Sequence, residues 1–187
     1  MSAISYGGRS RVDDPRWPES GAPDLDAYAT WSVRWCGMAC LRMVLLARDG
    51  HAPTLYDLTM GGLRYGAYSN EPGQPQGLIY GPFADYAGAV HSLEVEVVPH
   101  LEPARLVSEV GSGHMVIASV HPEIRRPHRP PPGKGGHLVL VTSYTPARQT
   151  IGFMDPAGHT ARAARASLVL PVFETFFANR GVVLRGV

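Results

Sequence analysis

The sequence predicts an α+β fold in which a helical part comes first and an antiparallel sheet follows. Three observations carry that prediction. The segment Cys36 to Asp49, CGMACLRMVLLARD, contains no proline and is apolar on nearly every side. From residue 93 the pattern switches to short β-branched runs such as LEVEVVP, HMVIASVH and HLVLVTSYT. Most connections between these later runs are short, which joins neighbouring strands antiparallel rather than through crossover helices.

Residues 1 to 26 are polar and include Gly7, Gly8, Pro15, Pro18, Gly21 and Pro23. This predicts an irregular N-terminal arm, with residues 27 to 187 forming one domain. The run Cys36 to Asp49 reads as a helix stopped by Gly50, and a helix apolar all round belongs in the interior. A second helix is expected from Pro53 and Thr54 to about Met60. Residues 61 to 77, rich in Gly and Pro, read as a loop. A third helix is expected over about 79 to 92, with Phe83, Tyr86, Ala87 and Val90 on one face. Strand 93 to 99 is followed by a short amphipathic helix over 102 to 110. Strands are expected over 114 to 121, 137 to 145, 151 to 155 and 166 to 171. VFETFFANR then makes one or two helical turns, and GVVLRGV closes the chain as a strand.

The chain has 187 residues, 44% of them hydrophobic and 18% charged, a globular composition able to bury a core without disulfides. Seventeen basic residues against sixteen acidic ones give a net charge of +1. No pull toward nucleic acid or a membrane surface follows from that balance. No apolar run has the length of a membrane span, and the opening MSAISYGGRSRVDDPRWPES lacks the hydrophobic stretch of a signal peptide. A cytoplasmic protein is the expectation. Two cysteines, Cys36 and Cys40, exclude a disulfide framework.

Cys36 opens the apolar helix. Unpaired N–H groups and the helix dipole stabilise an anion there, which makes a thiol a better nucleophile. Cys40, one turn further in, is assigned to the core. Among the eight histidines, His137 stands at the start of a very apolar strand, directly after Gly135 and Gly136. It is the candidate base. Asp155, in GFMDPAG, ends the next strand, so pairing of 137–145 with 151–155 puts it at the same end as His137. A carboxylate there can orient the imidazole. His114, His121, His128 and His137 recur at intervals too long for a zinc site, so no metal is expected, and nothing calls for a cofactor.

These three stretches resemble a known family. WCGMACLRMVL resembles the nucleophile motif of papain-like cysteine peptidases related to the bacterial double-glycine (bacteriocin) leader peptidases. GGHLVLVTSY resembles their histidine strand, and GFMDPAG their Asp/Asn-Pro strand. The resemblance runs from about residue 30 to the C-terminus. It implies a papain-like fold, with a buried nucleophile helix packed on the antiparallel sheet, and a catalytic set of Cys36, His137 and Asp155. The family usually carries a Gln six residues before the cysteine as an oxyanion-hole donor, and here Thr30 stands in that place. The Cys36 N–H can supply one donor. The second is sought at Thr30, Ser32, the Trp35 region, or Gln74 and Gln76.

The loop HPEIRRPHRPPPGK, residues 121 to 134, is basic, with Arg125, Arg126, Arg129 and Lys134 against Glu123. Leading into His137, it is a candidate docking surface for an acidic carrier protein. The expected function is thiol-based acyl transfer on a peptide or acyl-thioester substrate, through a thioester acyl-enzyme. The alternatives are an acyltransferase or cyclase of a natural-product pathway, charged by a carrier protein, and a catalytically impaired binding module.

Overall fold

The computed structural model describes residues 13–69, 77–158 and 160–187. Four helices come first: α1 (Leu25–Ser32), α2 (Cys36–Asp49), α3 (Leu55–Arg64) and α4 (Tyr80–His91). There follow β1 (Glu94–Val98), α5 (Pro103–Gly111), β2 (Met115–Val120), β3 (His137–Thr145) and β4 (Thr150–Met154). A single turn α6 (Ala161–Ala164), β5 (Arg165–Val169), α7 (Leu170–Phe176) and β6 (Phe177–Arg185) complete the order.

Helix boundaries follow local chemistry. The Asp24 side chain accepts a hydrogen bond from the Ala27 N–H at 2.7 Å and starts α1, a helix with no counterpart in the sequence reading. Gly50 ends α2 with φ near 73°, in the left-handed region that suits glycine, where the helix was expected to stop. Thr54 caps α3 through the Asp57 N–H. That helix runs to Arg64, beyond the Met60 expected, because Gly61 and Gly62 serve close packing rather than a loop. A Cβ on Gly62 would fall 2.3 Å from the Met38 side chain, and one on Gly61 would fall 2.5 Å from the Tyr86 hydroxyl.

The six strands form one antiparallel sheet in the order β1-β6-β2-β3-β4-β5. Its middle is covered on both faces, which explains why HLVLV is apolar without a polar alternation. Ile117, Leu138, Leu140, Val182 and Leu184 join the core built by α1 to α4 around Trp35, Met38, Leu41 and Phe83. Val116, Ala118, Val139, Val141 and Val183 join a second core with Leu106 of α5 and Phe173 and Phe176 of α7. β6 begins at Phe177, earlier than the GVVLRGV run, and its pairing with β2 shifts register between Ala118 and Val120. Among the described residues no helix is long and apolar enough to cross a membrane.

Candidate active site

Three chain segments deliver side chains to one end of this sheet. α2 begins with Cys36, so the N–H groups of its first turn have no intrahelical acceptor. β3 begins with His137, preceded by Gly135 and Gly136 with φ near 86° and 93°, a left-handed pair that glycine adopts without strain. β4 ends at Met154, and the next residue, Asp155, folds into a turn in which its own Oδ1 accepts from the Ala157 N–H at 2.8 Å.

His137 and Asp155 are 5% and 2% exposed, and the imidazole Nε2 lies 2.7 Å from Asp155 Oδ1. The other carboxylate oxygen, Oδ2, accepts from Arg125 Nε at 2.9 Å. Burial works against ionising Asp155, but His137, Arg125 and the Ala157 N–H outweigh it and hold the carboxyl below its ordinary range. An ionised carboxylate only accepts, so the Nε2–H must donate to it. The Nδ1 side remains for Cys36, whose side chain also favours the charged imidazole. Burial disfavours charge on His137, yet Asp155 and Cys36 together lift its pKa to about 9. The imidazole therefore holds its proton at neutral pH.

A pH signature follows. A raised imidazole pKa contributes stability that is fully present below the ordinary value of 6.5 and is lost as the pH climbs through about 9. The depressed Asp155 carboxyl acts at the other end, contributing above its ordinary 3.8 and fading as the pH falls below that value. The melting-temperature advantage of the native protein over a His137→Gln variant is expected to shrink between about pH 6.5 and 9. A pH-independent gap over that range would mean that the imidazole is neutral.

Cys36, Leu78, Tyr80, Ser119, His137 and Arg180 line a cleft of about 160 Å³. Cys36 is partly exposed there. Cys40 is fully buried, with its sulfur 3.9 Å from the Leu138 carbonyl oxygen, and burial raises its thiol pKa well above the usual value. Thr30 is exposed on α1, while Ser32 is buried with no hydrogen-bond partner for its hydroxyl, and neither lines the cleft. Gln74 and Gln76 lie outside the described residues.

The basic loop divides. Arg125 is turned inward onto Asp155, Arg126 pairs with Glu123 at 2.6 Å, and Arg129 is exposed without an acidic partner among the described residues. Two features escaped the sequence reading. The Arg125 contact to Asp155 crosses 30 residues of chain and leaves no local pattern. Arg180 and Tyr80 reach the cleft from β6 and from the first residue of α4, positions that only the tertiary fold connects.

The cleft, its thiol at a helix N-terminus and its carboxylate-bound histidine are what a cysteine peptidase fold provides. The model of the Peptidase_C39 like family matches residues 22–181, a span holding α1 through most of β6 and all three of these side chains. No curated protein matches the chain. On the strength of that match, the chain belongs to the Peptidase_C39 like family and has a papain-like cysteine peptidase fold.

Proposed function

We propose that the chain is a thiol acyl-transfer enzyme acting on a peptide or acyl-thioester substrate, with Cys36, His137 and Asp155 as its catalytic triad. The observation that supports this best is His137, held protonated between the Asp155 carboxylate and the Cys36 sulfur at the edge of an open cleft. In the reactive ion pair the proton of Cys36 already resides on His137, and Cys36 Sγ attacks the substrate carbonyl carbon as the thiolate. A C–S bond forms while the carbonyl electron pair moves onto oxygen. The Cys36 N–H, unpaired in the first turn of α2, donates to that oxyanion. As the intermediate collapses, the bond to the leaving nitrogen or sulfur breaks and the His137 proton goes with it. The remaining thioester is attacked by water, returning the thiol, or by an amine, moving the acyl group to a new amide. Asp155 fixes the ring and balances its charge throughout, and Arg125 fixes Asp155 from behind.

The inward turn of Arg125 narrows the docking surface for an acidic carrier protein to Arg126 and Arg129. Intact-protein mass spectrometry tests the central claim. Incubation with aryl thioesters, or with peptides carrying an activated ester, is expected to add one acyl mass to the native protein and none to a Cys36→Ala variant. An adduct that persists in that variant would assign the chemistry elsewhere.

A further inference from the structure

One charge in the cleft is not used by this chemistry. Arg180 lies on β6 where the β2–β6 pairing shifts: Ala118 faces Gly181, but Val120 faces Phe177. Four steps on one strand thus answer two on the other. Asn179 takes up the surplus with φ near 49°, and its carbonyl accepts from the Leu101 N–H at 2.8 Å. Such a bulge re-aims side chains, and here it brings Arg180 to the cleft wall beside Cys36 and His137.

The guanidinium is held but not neutralised. A Cβ on Gly135 would lie 2.8 Å from Arg180 Nη2 and 3.3 Å from Ser119 Oγ, so both groups close over the turn that leads to His137. Burial raises the pKa of the Tyr80 hydroxyl, which keeps it a neutral phenol, while Ser119 and Arg180 act on it in the opposite sense. Among the described residues Arg180 has no carboxylate partner, whereas Arg105 and Arg185 are tied to Glu96 and Glu109. A guanidinium offers five donors in a planar fork that matches a carboxylate in two parallel bonds. A single guanidinium balances a monoanion. A dianionic phosphate would set a surplus negative charge against the Cys36 sulfur. At about 160 Å³ the cleft holds a residue-sized group.

We propose that Arg180 is a specificity-determining residue that binds a carboxylate of the substrate close to the carbonyl that Cys36 attacks. The substrate class is then a peptide or acyl chain whose reacting end carries a free acid, either a C-terminal carboxylate or an Asp or Glu side chain. This rests on the acyl-transfer reading of Cys36. The test uses two alkylating reagents of nearly equal size, iodoacetate and iodoacetamide, in which Sγ displaces iodide and only one carries a carboxylate. The iodoacetate-to-iodoacetamide rate ratio at Cys36 is expected to fall about tenfold in Arg180→Gln, the scale of one charge-assisted hydrogen bond, and to recover in part in Arg180→Lys. The His137 charge is common to all three proteins and cancels from the comparison. A ratio unchanged by Arg180→Gln overturns the proposal. A native Cys36 that reacts with neither reagent faster than a denatured thiol overturns the acyl-transfer reading instead. Protection of Cys36 from iodoacetamide then separates the two sources. A tripeptide ending in a free acid and an amidated tripeptide containing Asp are each compared with their amide counterparts, and the acid is expected to protect about tenfold better. No preference for either acid over its amide would also overturn the proposal.

Discussion

Cys36→Ala is expected to lower the acyl-transfer rate by at least about 10⁴-fold, the scale on which loss of a nucleophile acts, and to move the melting temperature by about 2 °C or less. The two effects part because Cys36 is partly exposed at the cleft and fills little of the core. Cys40→Ala is expected to behave in reverse. Its side chain is fully buried between α2 and β3, so removing the sulfur leaves a small void worth about 1 kcal/mol, or about 2 to 4 °C for a chain of this size. Its activity should stay within about threefold of native, since a buried thiol with a raised pKa is no nucleophile. Thermal denaturation together with a thioester-hydrolysis assay reads both. If Cys36→Ala only destabilises and leaves turnover intact, Cys36 is a packing residue and the enzyme reading fails.

Asp155 carries the second large effect. Its two oxygens hold three groups: His137 and the Ala157 N–H on Oδ1, and Arg125 on Oδ2. Asp155→Asn keeps an acceptor for the imidazole and for Ala157, but it turns an amide N–H₂ toward the Arg125 donors or toward His137. A loss of about tenfold in kcat/KM is expected, the difference between a charged and a neutral hydrogen bond. Asp155→Ala removes the acceptor altogether and leaves two cations facing each other in a buried site. A loss of at least about 10³-fold is expected, with a destabilisation of about 3 to 5 kcal/mol. Single-turnover rates measured well below either melting temperature separate catalysis from folding. Equal losses in the two variants would show that charge outweighs orientation, and no loss in either would remove Asp155 from the mechanism.

How much of this was legible in the sequence depends on how local the signal is. The buried helix was readable from Cys36 to Gly50 because an apolar surface and a glycine stop are properties of adjacent residues. β3 was readable over 137–145 for the same reason. α1 was missed although Asp24 caps it and Tyr28 and Trp31 are spaced to share a face, since prolines and glycines before it set a loop expectation. The glycines of α3 misled in a similar way, as glycine marks both turns and close helix contacts. Cys36, His137 and Asp155 could be placed at one end of the sheet from sequence because each opens or directly follows a recognisable element. Arg125 and Arg180 were not placed correctly or at all. One reaches Asp155 from a proline-rich loop, and the other depends on a register shift between strands more than 50 residues apart in sequence.

That β6 lies between β1 and β2 has a temporal consequence. It is the last of these six strands to leave the ribosome, yet it separates two strands made long before it. Until it arrives, β1 has no neighbour in the sheet, and the edge of β2 that faces it is bare. α2 with Cys36 and β3 with His137 are already synthesised by then, but the cleft wall that Arg180 and the bulge at Asn179 provide does not yet exist. Long-range pairing of this kind is slow because the intervening chain must be gathered before any bond repays it. A nascent chain therefore carries Cys36 before the wall that holds Arg180 exists, and the cleft is completed only by the closing strand.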